Sequence, residues 1–172
     1  MAMNWQELRR KIREQRLGAA DAARLVRTTM GRTTGIIDPK LLVEVLGARL
    51  SVLTADQQIP VSGALISALN GKPLDQPIVM VNGGEKETRQ RFTVAHELGH
   101  LMLHDLGVLY RDERLDGTAP VEREATTFAA ELLMPFHEIE ALAPVAPEFV
   151  AERFGVSISA AQSRLRGMMW IP

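Results

Sequence analysis

The sequence predicts an α+β fold: a small antiparallel sheet packed on a central helix, a second helix crossing nearby, and a helical C-terminal tail. Three observations carry this. Short runs with β-branched content, Arg49 to Leu53, Val61 to Leu69 and Pro77 to Val81, sit close together and are bounded by turn residues. Apolar residues recur at helical spacing on the C-terminal side of these runs, over 85–105 and 121–134. At 172 residues, with 46% hydrophobic and 24% charged residues, the chain can bury a core without covalent staples.

From the N-terminus, Asn4 and Glu7 have the spacing of a capping box, and Trp5, Leu8 and Ile12 follow on one helical face. The helix extends toward Leu17, breaks at Gly18 and resumes through Leu25 and Val26. Residues 1–37 form a basic helical segment, with Arg9, Arg10, Lys11, Arg13, Arg16, Arg24, Arg27 and Arg32. Such a run is a docking arm for nucleic acid or a partner, or simply a solvated amphipathic face; the second reading is the commoner. Asp38-Pro39 starts another helix, with Leu41, Leu42, Val45 and Leu46 on its apolar face and Gly47 at its end. The three strands follow, with a polar turn at 55–60 and a hairpin signal at Asn70-Gly71. After the helix at 85–105 comes an Asp-, Gly- and Arg-rich loop, 107–119. The next helix begins near Pro120, shows a stripe of Val121, Ala125, Phe128, Ala129 and Leu132, and stops at Pro135. Residues 38–143 thus form the core. Residues 144–172 give a short helix, a Gly-containing turn and a second helix, the outline of a helix-turn-helix.

A net charge near −1 provides no global attraction to nucleic acid or membrane. The absence of cysteine excludes disulfides, thiolate metal sites and a Cys nucleophile. Any transition-metal site must therefore use His and carboxylates, and three of the four His lie together at 96, 100 and 104. The charged N-terminus is not a signal peptide, and no apolar run is long enough to span a bilayer, so a cytoplasmic location is expected.

Those three His belong to Phe92-Thr-Val-Ala-His96-Glu97-Leu-Gly-His100-Leu-Met-Leu-His104. His-Glu-x-x-His on a helix is a metal-hydrolase pattern: the two His, one turn apart, meet one ion, and the Glu beside them serves as general base. At about 100° per residue, Phe92, Ala95, Leu98, Gly99 and Met102 form a core side. His96, Glu97, His100 and His104 share the other side with Arg89 and Thr93. Gly99 in mid-helix costs about 1 kcal/mol against Ala, which close approach by a second element offsets. His104 lies about 9 Å along the axis from the middle of the His pair, at about 1.5 Å per residue, too far to ligate from an unbroken helix. Zinc proteases whose third His follows a Gly turn would need it at position 106, which is Leu106. The third ligand is therefore expected on the second helix, where Glu122 and Glu124 flank the apolar stripe and periodicity does not choose between them.

The block from Arg89 through His104, taken with Glu124-Ala-Thr-Thr-Phe-Ala-Ala-Glu-Leu-Leu-Met-Pro135, resembles the ImmA/IrrE family of bacterial and phage metallopeptidases. Ser62-Gly-Ala-Leu, Val79-Met-Val-Asn82 and Phe154-Gly-Val-Ser157 extend the likeness over roughly residues 38–168. Thr126 stands where the family usually has Asn. The resemblance implies a compact zincin-like fold, zinc held by His96, His100 and Glu124, and Glu97 as the catalytic residue. It further implies a substrate that is a helix-turn-helix repressor or another regulatory protein encoded nearby.

The expected reaction is zinc-assisted peptide hydrolysis on an extended peptide added to a sheet edge. Glu97 moves the proton, and His104, Arg89 and Thr93 are candidates for orienting ligands or stabilising the oxyanion. The alternatives are a non-proteolytic metal-binding regulator acting through DNA or protein, and a toxin-like peptidase held by a partner. Direct DNA binding by the tail through Arg164 and Arg166 is set against a packing role, which the small basic content favours.

Overall fold

The computed structural model describes residues 3–54, 61–70, 72–106 and 119–168. The expected turn at 55–60, Gly71 and nearly all of the loop at 107–119 lie outside the described residues. Among the described residues no helix is long and apolar enough to cross a membrane.

The element order is α1 (Trp5–Glu14), α2 (Ala19–Thr29), α3 (Pro39–Val45), β1 (Arg49–Leu53), β2 (Gly63–Leu69), β3 (Lys72–Asn82), α4 (Glu87–Leu103), α5 (Pro120–Leu133), α6 (Phe136–Glu140), α7 (Pro147–Phe154) and α8 (Ile158–Met168). The local signals explain the boundaries. Asn4 Oδ1 accepts from the Glu7 N–H, and Asp38 accepts from the Lys40 N–H beside Pro39. Pro120 and Pro147 begin α5 and α7. Gly155 ends α7 with φ 63°, a conformation Gly adopts without steric cost.

The fold is α+β as expected, but the sheet is mixed rather than antiparallel. Its order is β1-β3-β2. Asn70, with φ 51°, helps turn β2 back onto β3 as an antiparallel hairpin, Leu69 facing Lys72. β1 pairs with the other side of β3 and runs parallel to it. The antiparallel expectation assumed that sequential strands pair, and β1 and β2 instead flank β3. On β3, Pro77, Val79 and Val81 are buried on alternate positions. Between Ile66 and Ala68 the ladder shifts, so that Ile66 faces Ile78 while Ala68 faces Pro73. Pro77 falls in this interruption and has no N–H to give a regular ladder.

Helix α4 lies against the sheet and is crossed by α5; α1 packs on α4 and α2 on α5. One apolar core takes in Trp5, Leu8, Ile12 and Val26 with Val79, Val94, Leu101, Phe128, Val150 and Phe154. Residues from all three expected segments therefore meet in one cluster. The basic N-terminal segment also turns two arginines inward. Arg9 Nη1 donates to the Leu101 carbonyl at 2.6 Å, and Arg27 Nη1 donates to the Leu132 carbonyl at 2.6 Å. Both acceptors lie in the last turns of the helices that carry the candidate site, where a cation complements the helix dipole. On the outer side of α4, Arg91 donates to the carbonyls of Ile37 and Gly155, each at 3.0 Å.

Glu131 is 1% exposed and accepts from Arg24 Nε at 2.9 Å, from the Phe136 N–H and from Arg164. It ties α2 and α8 to the end of α5. Replacing Glu131 by Ala leaves the mostly buried Arg164 guanidinium without its carboxylate. The expected loss is about 3 kcal/mol, lowering the melting temperature by at least about 6 °C in a chain of this size. Calorimetry checks this, and a shift under 2 °C counts against the bridge.

Candidate metal centre

Helix α4 exposes little of either side. Thr93, Glu97, His100 and His104 are buried along with its apolar residues, because α5 and β2 cover the polar side. Gly99 permits the crossing. A Cβ there would stand 3.0 Å from the Ala125 Cα and 3.1 Å from its carbonyl oxygen. The backbone of α5 therefore occupies the space a side chain would need, which is the close approach expected of a mid-helix glycine.

At this crossing His96 Nε2 is 2.9 Å from Glu122 Oε2, and His100 Nε2 is 3.1 Å from His96 Nε2. Glu122 Oε1 lies 3.3 Å from His100 Nε2. The donor atoms of His96, His100 and Glu122 all fall within 4.8 Å of one another. Tetrahedral ligands at about 2.0–2.1 Å from zinc lie about 3.3 Å apart, so two imidazole nitrogens and a carboxylate in this spacing fit a zinc ion.

Glu124, the residue the resemblance implied as third ligand, is placed elsewhere. Its side chain is 59% exposed, and its Oε2 lies 3.0 Å from His104 Nε2. The reason is helical phase. Glu122 runs in step with Ala125, Ala129 and Leu132, at intervals of three and four residues, so it rides the buried stripe that meets α4. Glu124 is two positions away, and residues two apart do not share a face. Measured from the centre of the sequence stripe the two glutamates stand at similar angles on opposite sides, and the choice falls to Glu122 because that side of α5 meets α4 at Gly99.

Glu97 lies beside the cluster at 8% exposure. Its pKa is pushed up to about 7, chiefly because burial disfavours the carboxylate; His96 opposes the shift and Glu122 adds to it. A base with its pKa near neutrality suits proton transfer. Burial, and then the neighbouring His96, press the pKa of His100 down to about 4. Neutral imidazole is the form that ligates metal. The Glu122 carboxyl is held below its ordinary range by its hydrogen bond with His96, against the effect of burial.

The remaining candidates surround this centre. Thr93 is buried under Gly63 of β2, where an added Cβ would collide with the Thr93 methyl and the Met80 carbonyl and sit 3.7 Å from Glu97 Cγ. Arg89 lies at the rim, its Nη2 donating to Ser62 Oγ at 3.2 Å. Thr126 was not among the predicted site residues; its Oγ1 is 3.4 Å from His96 Nδ1. A cavity of about 440 Å³ opens between α4, α5 and α8, with Phe92, Thr126 and Ala130 on its walls.

A His-Glu-x-x-His helix crossed by a helix that brings a carboxylate to both histidines defines a protein of the metallopeptidase type. Residues 56–166 match the IrrE N-terminal-like domain, a peptidase family. The chain belongs to this ImmA/IrrE family. It is 35% identical over 85 residues to the radiation response metalloprotease IrrE of Deinococcus radiodurans, a match that covers 45% of this chain and 23% of that protein.

Proposed function

We propose that the chain is a zinc-dependent endopeptidase of zincin-like architecture that cleaves a helix-turn-helix repressor or another regulatory protein. The observation that carries the reading is the convergence of His96, His100 and Glu122 with Glu97 buried beside them. When bound, zinc supplies Lewis acidity, polarising a carbonyl and lowering the pKa of water toward about 7. Glu97 takes a proton from the attacking water and passes it to the leaving amine. His96 and His100 hold their ring nitrogens toward the site, while Glu122 offers the negative charge.

The substrate enters beside β2. Among the described strands β2 pairs only with β3, which leaves its other edge to add an extended segment. Gly63 brings that edge against Thr93 and Glu97. Arg89 at the rim and the adjoining cavity, two-sided between α4 and α8, are placed to contact residues flanking the scissile bond. A repressor substrate puts the reaction in the cytoplasm. The rival reading, a metal-binding regulator that grips DNA through α7 and α8, is weakened by Arg164, which faces Glu131 and the Met134 carbonyl rather than solvent.

The test incubates the purified chain with helix-turn-helix repressors as candidate substrates, with and without a chelator. Cleavage should stop on chelation and return when zinc is restored. Cleavage that persists in the chelator sinks the metal-dependent reading.

A further inference from the structure

Glu124, left over from the expected ligand set, and His104 make a chain of contacts behind the metal centre. Glu124 Oε2 is 3.0 Å from His104 Nε2, and His104 Nδ1 is 2.9 Å from His100 Nδ1. His100 Nε2 faces His96 and Glu122. Helix α4 ends at Leu103, and His104 leaves it in extended conformation with φ −103° and ψ 168°. Its N–H still bonds the His100 carbonyl, so its ring stands one turn beyond that of His100 and within reach of it. His104 is buried, so the contact is sheltered from water.

We infer that Glu124 and His104 are positioning residues that hold the His100 ring in the orientation and tautomer a metal ligand needs. An ionised carboxylate only accepts, so His104 donates from Nε2 to Glu124. With its proton on Nε2, His104 presents Nδ1 as the acceptor for His100 Nδ1–H. His100 is left with its lone pair on Nε2, the nitrogen that faces the site. The relay thus runs in one direction, from ligand to solvent-facing carboxylate. Reversing it would put a proton on the His100 nitrogen that has to bind. Carboxylate or carbonyl partners on the far nitrogen of a ligating histidine act in the same way, and their loss costs about 10–100-fold in metal affinity. Here a second histidine extends the reach, because Glu124, on the wrong side of α5 for the metal, is on the right side for His104. The inference rests on the zinc reading of the site.

The test measures zinc affinity by chelator competition on the full chain and its variants. His104→Ala should weaken zinc by about 10–100-fold. His104→Asn, whose Oδ1 takes the position of Nδ1 and can accept from His100, should recover most of that loss. Imidazole 15N shifts of the metal-free chain should report His100 as the Nδ1–H tautomer in the wild type and in His104→Asn, and as a mixture in His104→Ala. A Tm measured without metal separates loss of fold from loss of orientation. Wild-type affinity in His104→Ala overturns the relay, and so does an Asn variant no better than Ala, or an Nε2–H tautomer in the wild type. A wild type that binds no zinc overturns the metal reading itself, a result distinct from equal binding by all variants.

Discussion

Glu97→Gln is expected to lower peptide hydrolysis by about 10²–10⁴-fold, the range for removing a general base, while zinc affinity stays within a few-fold. The same substitution should change how the metal-free protein responds to pH. The folded-state pKa of Glu97 is raised to about 7, so the folded chain binds a proton here that the unfolded chain releases near the ordinary value of 4.5. Below about pH 4.5 the group is neutral in both states and costs nothing. Stability is lost as pH rises toward about 7, and above that the penalty is complete, on the order of 3 kcal/mol for a group this buried. His100 acts with the opposite sign. Its lowered pKa makes protonation unfavourable in the folded state, so its contribution is lost as pH falls from about 6.5 toward about 4. The two effects largely mask each other in the wild type. Denaturant unfolding of wild type and Glu97→Gln at pH 4.5, 6 and 8 isolates the first. The variant should gain stability relative to wild type between pH 4.5 and 8, whatever constant offset the amide brings. A difference that does not change with pH would place Glu97 in a more hydrated setting than its burial indicates.

Glu122→Ala should weaken zinc binding by more than about 100-fold, beyond the range for an outer partner, whereas Glu124→Ala should stay within about 10–100-fold. The contrast follows from distance. Glu122 has an oxygen 2.9 Å from His96 Nε2 and another 3.3 Å from His100 Nε2, while the Glu124 carboxylate meets His104. Competition against a colorimetric chelator measures both variants. The opposite ranking would return the third ligand to Glu124 and require α5 to turn by about half a revolution. Such a turn would drive Ala125 away from Gly99, so a matching loss of thermal stability would accompany it.

The parts of the molecule that follow local chemistry were readable in advance. Asn4, Asp38, Pro120, Pro147 and Gly155 mark helix ends because caps and fixed φ angles act within a few residues. His96, Glu97 and His100 are legible for the same reason, since one helical turn sets their geometry. Three features needed contacts between distant segments. The direction of β1 relative to its neighbour depends on whether it pairs with β2 or β3, and nothing in Arg49 to Leu53 encodes that. Choosing Glu122 over Glu124 required the rotation of α5 about its own axis, set by Gly99 on another helix. The inward turn of Arg9 and Arg27 was hidden because an arginine bound to a carbonyl looks, in sequence, like any other on a basic face.

Those two arginines bear on the order in which the chain becomes fixed. Arg9 and Arg27 are made 92 and 105 residues before the carbonyls they cap. At about 5–20 residues per second, a ribosome needs roughly 5–20 s to supply the missing partners. Through that interval α1 and α2 have no α4 or α5 to cover Trp5, Leu8, Ile12 and Val26. Helices α1 and α2 are therefore secured only after segments made well behind them, and their locking waits until both helices of the candidate metal centre exist.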